Sequence, residues 1–108
     1  MTTFDERERA FENKFMADEE LRFKVAARRD RLLGLWAAAQ LGKTGADADA
    51  YASELVSVDV EKPGDDEVVE KVGQDLRAAG RQVADHTVRA RMREFFDTAK
   101  HQIMTEVR

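Results

Sequence analysis

Residues 85–103, DHTVRARMREFFDTAKHQI, place Val88, Met92, Phe95, Phe96, Ala99 and Ile103 at steps of three and four. At about 100° per residue these side chains share one face of a helix, and charged residues fill the remainder. No period-two alternation competes with that reading. The segment therefore predicts an amphipathic helix, with Asp85 as its cap and its apolar face at the centre of the core.

Working back along the chain, the same period recurs. The acids Asp65, Asp66 and Glu67 suit the positive end of a helix dipole, Val68, Val69, Val72 and Leu76 form its inward face, and Gly80 is placed to end it. Residues 59–64, DVEKPG, contain the only proline, Pro63, and read as a connection. Before them Thr44 with Asp47 resembles a capping box, and Ala48, Tyr51, Ala52 and Leu55 share a face up to about Val58. Asp18 caps an earlier helix that runs to Gly42, with Leu21, Val25, Leu32, Leu35, Trp36 and Ala39 in an arc of about 100°. The fold class is all-α: an antiparallel four-helix bundle preceded by an amphipathic helical segment, with residues 1–16 as that segment and residues 17–108 as the bundle.

The chain has 108 residues, 22 acids against 18 bases and no cysteine. One core is the natural outcome at this length. A net charge of −4 argues against nucleic acid as a partner. Disulfides, thiol catalysis and thiolate metal sites are excluded, and no apolar run is long enough to insert in a membrane. These features predict a cytoplasmic protein, monomeric when free.

Residues 1–15, MTTFDERERAFENKF, carry half of the six phenylalanines. In a helix Phe4, Phe11 and Phe15 fall within about 40° of one another. A helix of about 13 residues is marginal alone and must dock on something. Either the rings complete this chain's own core or they enter a partner's groove, flanked by charges that set orientation. The remaining helices supply enough apolar faces to close a core without them, which leaves Phe4 and Phe11 as partner anchors. Phe15 then lies at the junction, near Phe23, which sits on the wrong face of its helix for the core.

Other motifs point to little chemistry. Residues 41–45, LGKTG, lack the earlier glycine and preceding strand of a phosphate loop; Lys43 at a helix start could at most hold an anion weakly. His86 and His101 have no partner ligands at metal-binding spacing, and His101 is placed one turn after Asp97. No nucleophile or glycine-rich turn singles out a carboxylate pair, so no catalytic residue and no metal site is assigned. Lys24 with Arg28, Arg29, Asp30 and Arg31 reads as a solvated basic face, with the Arg28 stem covering the core and its head reaching an acid. A helical adaptor using Phe23 and this face is the alternative function.

Five blocks resemble one known family, the zeta subunit of alphaproteobacterial rotary ATP synthases: TTFDERERAFENKF at 2–15, DEELRFK at 18–24, ARRDRLLGLWAA at 27–38, LGKTGADADAYA at 41–52 and DHTVRARM at 85–92. Ala84 departs from the small capping hydroxyl more common there. The resemblance implies a natural inhibitor of ATP hydrolysis, similar in mode to the mitochondrial ATPase inhibitor protein. Its N-terminal helix would enter between the alpha and beta subunits of the catalytic head, towards the gamma rotor, at the soluble head of the inner-membrane enzyme. Carried onto this chain, residues 2–14 are inhibitory, and the contacts with the partner fall to Phe4, Asp5, Glu6, Arg7, Glu8, Arg9, Phe11, Glu12, Lys14, Phe15 and Phe23. No cofactor is required. The resemblance also implies weak ADP or ATP binding by the globular part, with no residue assignable.

Overall fold

The computed structural model describes residues 3–106. Five helices follow in order: α1 Thr3–Ala17, α2 Glu19–Gln40, α3 Gly45–Glu61, α4 Asp65–Ala78 and α5 Asp85–Glu106. Among the described residues there is no strand, in accord with the all-α expectation.

The helices end where their chemistry requires. Asp18 is extended, and its Oδ1 accepts the Leu21 N–H at 3.1 Å, so α2 is capped as expected. Gly42 and Gly80 take φ of +77° and +82°. At each, paired bonds close the preceding helix: Gly42 N–H to Ala39 and Lys43 N–H to Ala38, then Gly80 N–H to Arg77 and Arg81 N–H to Leu76. Only glycine adopts that left-handed turn without steric cost.

Two caps differ from expectation. Thr44 precedes α3 but makes no side-chain cap bond, so the Thr44–Asp47 capping box does not form. Asp85 lies inside α5, one residue past the boundary, and Ala84 O takes the Thr87 and Val88 N–H bonds. The α5 start therefore lacks a side-chain acceptor at residue 84. Ala84→Ser is expected to raise stability by about 1 kcal/mol in urea melts; an unchanged midpoint would mean that the hydroxyl does not reach the free N–H groups.

Cross-helix pairs fix how the helices run. Arg31 meets Asp49 and Arg29 meets Asp59 between α2 and α3. Lys71 meets Glu54 between α4 and α3, and the Tyr51 hydroxyl donates to Asp75 at 2.8 Å. Arg89 meets Asp66, and Arg77 meets Asp85, between α5 and α4. The Arg28 head reaches Gln102 and the acid Glu106 on α5, as expected for a stem that lies along the core. In the α2–α3, α3–α4 and α4–α5 pairs the numbers rise in one helix as they fall in the other, which makes these neighbours antiparallel.

The central helix is α2, not α5: it touches α1, α3, α4 and α5. This corrects the predicted arc. Leu33, Gly34, Ala37 and Ala38 are buried, whereas Leu32, Leu35 and Trp36 are only partly buried and Ala39 is exposed. A helix covered on several sides has no single apolar face for its periodicity to report. Small residues let α3 approach closely: a Cβ on Gly34 would lie 2.7 Å from Ala52 Cα.

The core has two parts. The larger joins Leu33, Ala37, Tyr51, Leu55, Val68, Val72, Leu76, Val88 and Met92 across α2–α5. The smaller joins Leu21, Val25, Ala99, Ile103 and Met104 with Phe11 of α1. The four later helices therefore do not close the core alone, because Phe11 finishes its lower end.

Candidate functional site

The N-terminal helix α1 divides into an inner edge and an outer face. Phe11 is 9% exposed, and its ring stacks on Phe15 at 6.4 Å between centroids. Phe15 meets Phe96 edge to face at 5.9 Å. The Lys100 ammonium lies 4.7 Å above the Phe15 ring and pairs with Glu12. At the α1 end, Arg22 Nη1 donates to the carbonyls of Phe15 and Met16 at 3.0 and 2.7 Å, groups that a helix end leaves without internal partners. Phe4 is 54% exposed and touches His101 edge to face, so His101 meets Phe4 and not Asp97.

Asp5, Glu6, Arg7, Glu8, Arg9 and Lys14 are exposed. Of the residues assigned to a partner contact, the helix thus gathers Phe4 and these six charged groups on its accessible surface. Phe11, Phe15 and Glu12 face the body, and Phe11 is not free as an anchor in this docked form. Phe23 stands apart from all of them, 57% exposed on α2, and does not meet Phe15. Of the segment 2–14, Thr2 lies outside the described residues.

The basic face expected around Arg28–Arg31 is not a basic face. Arg29 is 7% exposed and Asp30 is fully buried. Arg29 donates Nε and Nη2 to Asp30 Oδ1 at 3.1 and 2.9 Å, Nη2 also to Asp59 at 3.2 Å, and Nη1 to Asp65 at 3.0 Å. One guanidinium thereby ties α2 to the end of α3 and the start of α4. Burial opposes the Arg29 charge, but Asp30, Asp65 and Asp59 outweigh it and raise its pKa. Despite its short contact with Arg29, Asp30 is pushed up to about 8, first by burial and then by its hydrogen bond with Asp59. The available signal was positional: Asp30 shares the i, i+3, i+7 row of Leu33 and Ala37.

The Gly-Lys-Thr stretch is a helix end. Its Gly42 and Lys43 N–H groups are already bonded to α2 carbonyls and cannot cradle a phosphate. Among the described residues no group of three or more acids or histidines could hold a metal ion, and no helix is long and apolar enough to cross a membrane.

Comparison with known proteins agrees with this architecture. A protein solved by solution NMR is 41% identical and superposes with a TM-score of 0.70, the match covering 81% of this chain and 99% of that one. No curated protein matches the chain. Residues 1–102 match the model of a family described as ATPase inhibitor subunit zeta. An all-α chain that this family's model matches over nearly its whole length belongs to the ATPase inhibitor subunit zeta family.

Proposed function

We propose that the chain inhibits the rotary ATP synthase mechanically, its N-terminal helix α1 inserting between an alpha and a beta subunit of the catalytic head and stopping rotation in the hydrolytic direction. The inhibitory segment is residues 1–16; the body, residues 17–108, is an antiparallel four-helix bundle that stays outside the cleft, close enough to the gamma subunit for α1 to reach it. The observation that carries this reading is the exposure of Phe4, Asp5, Glu6, Arg7, Glu8 and Arg9 on one helix that only its inner edge ties to the body.

At about 1.5 Å per residue, a helix of 15 residues spans roughly 20 Å, enough to reach into a subunit cleft. Insertion requires α1 to leave the body, which costs roughly 2–3 kcal/mol for exposing Phe11. Phe11 then exchanges its own core for a pocket of the partner. The block needs no catalytic residue, cofactor or metal. Weak ADP or ATP binding by the body would tune the availability of α1 and not the block itself. The adaptor alternative loses ground, because Arg28 and Arg29 are committed to Glu106, Asp30, Asp59 and Asp65 and do not form a free basic face.

Reversing two exposed charges tests the reading. Arg7→Glu with Arg9→Glu is expected to weaken inhibition of ATP hydrolysis by the purified synthase about tenfold or more, in line with loss of charge-assisted contacts at an interface. The thermal midpoint should stay within about a degree, since both groups are exposed. Unchanged inhibition would remove the proposed role of the outer face.

A further inference from the structure

A cavity of about 320 Å³ opens between α2, α3 and the turn into α4. Its walls are apolar, with Phe23, Ala26 and Ala27 from α2, Val56 and Val60 from α3, and Pro63. Phe23 and Val60 remain 57% and 53% exposed, and they are two of the four large apolar side chains left in water among the described residues. The floor is acidic: Asp30, Asp59 and Asp65 line it with Arg29 as the only cation. Three carboxylates around one guanidinium leave excess negative charge even when one proton is shared. The Asp30 side chain is 1% exposed, and no N–H or hydroxyl group of the described residues donates to its Oδ2. A buried carboxyl oxygen in that state is satisfied either by a proton shared with Asp59 or by an incoming cation that replaces it.

The geometry points to a docking site for a lysine or arginine side chain carried on an apolar segment of a partner protein, with its stem along Phe23 and Val60 and its cationic head at Asp59, Asp65 and Asp30 Oδ2. Lysine and arginine combine an aliphatic stem with a charged tip, the same order of chemistry that the cavity presents from rim to floor. The volume suits one long side chain. Phosphate-bearing ligands and anionic membranes are repelled by the floor. The site lies on the body, away from α1, and does not rest on the inhibitory reading.

Proton linkage supplies a second signature. The charged groups acting on Asp30 are Arg29 on α2 and Asp59 on α3; Asp65 on α4 meets the same guanidinium, and α5 brings Arg89 and Arg93 beside Arg29 and Asp65. Arg89 is already paired with Asp66. Since burial pushes Asp30 up to about 8, a cation arriving at its carboxyl displaces a proton, and binding tightens as pH rises.

The experiment follows backbone amide shifts of the full chain during titration with acetyl-Leu-Arg-Leu-amide and with its glutamine counterpart, at about millimolar peptide. Expected are saturable shifts at Phe23, Val60 and Gly64, about tenfold weaker binding of the glutamine peptide, and tighter arginine binding at pH 9 than at pH 6. Phe23→Ser, at an exposed position, should leave the unliganded spectrum otherwise intact and weaken the arginine peptide severalfold. Equal binding of both peptides, shifts confined to other surfaces, or no shift at all would overturn the proposal.

Discussion

Arg29→Met is expected to lower the unfolding free energy by about 3–5 kcal/mol at pH 8.5, the scale for leaving a buried charge without its partner. Arg29 holds three carboxylates from three helices, and its removal leaves Asp30 and Asp59, with side chains 1% and 15% exposed, facing each other. Methionine keeps most of the apolar stem, so the loss reports charge more than volume. Protonation relieves the repulsion. The deficit should therefore shrink by about half or more at pH 5, measured by urea unfolding at the two pH values. An equal deficit at both would show that Arg29 acts through packing.

The same cluster gives the folded chain a slope with pH. Asp30 titrates at about 8 when folded against 3.8 when unfolded, so the folded state holds an extra proton between those values. Its contribution is present in full below about pH 4 and is lost as pH rises through about 8. Asp30→Asn fixes the neutral form: its carbonyl still accepts from Arg29, and its amide supplies the donor that Asp59 lacks at high pH. This control to Arg29→Met should match the unmutated chain at low pH and exceed it by about 1–2 kcal/mol at pH 8.5.

These residues also mark where sequence reading reaches its limit. Helices α4 and α5 were legible because each buries one side, so Val68, Val72 and Leu76, or Val88, Met92 and Ala99, recur at the helical period. The caps at Asp18, Gly42 and Gly80 were legible because local chemistry alone decides them. Helix α2 was not, since neighbours cover several of its sides and its charged pair Arg29–Asp30 belongs inside. What makes burial tolerable there is Asp59 and Asp65, roughly 30 residues or more along the chain, and no local pattern connects them. For α1, spacing identified the stripe correctly but not its home. Periodicity says that three rings share a face, while the lower core of Leu21, Val25, Ala99 and Ile103 decides that Phe11 closes it.

Deleting residues 2–14 is expected to abolish inhibition of ATP hydrolysis while leaving a folded helical body. The larger core, from Leu33 and Leu55 to Val88 and Met92, contains no residue of α1. The smaller core loses Phe11, and the Glu12–Lys100 pair goes with it. Burial of one phenylalanine stabilises by roughly 2–3 kcal/mol, and an exposed ion pair adds less than about 1 kcal/mol. The truncated chain should therefore melt earlier but cooperatively, with Phe15 still able to cover Phe96. Circular dichroism separates the two ways in which inhibition could disappear, because a collapsed body loses helicity well beyond the α1 share and an intact one does not. If the body remains folded and still inhibits at the original concentration, insertion of α1 cannot be the mechanism. If inhibition vanishes with the body intact, the surface that stops the motor lies in the segment that carries Phe4, Arg7, Arg9 and Phe11. The body then serves to store that segment, holding Phe11 against Ile103 and Met104 until a cleft offers it a better pocket.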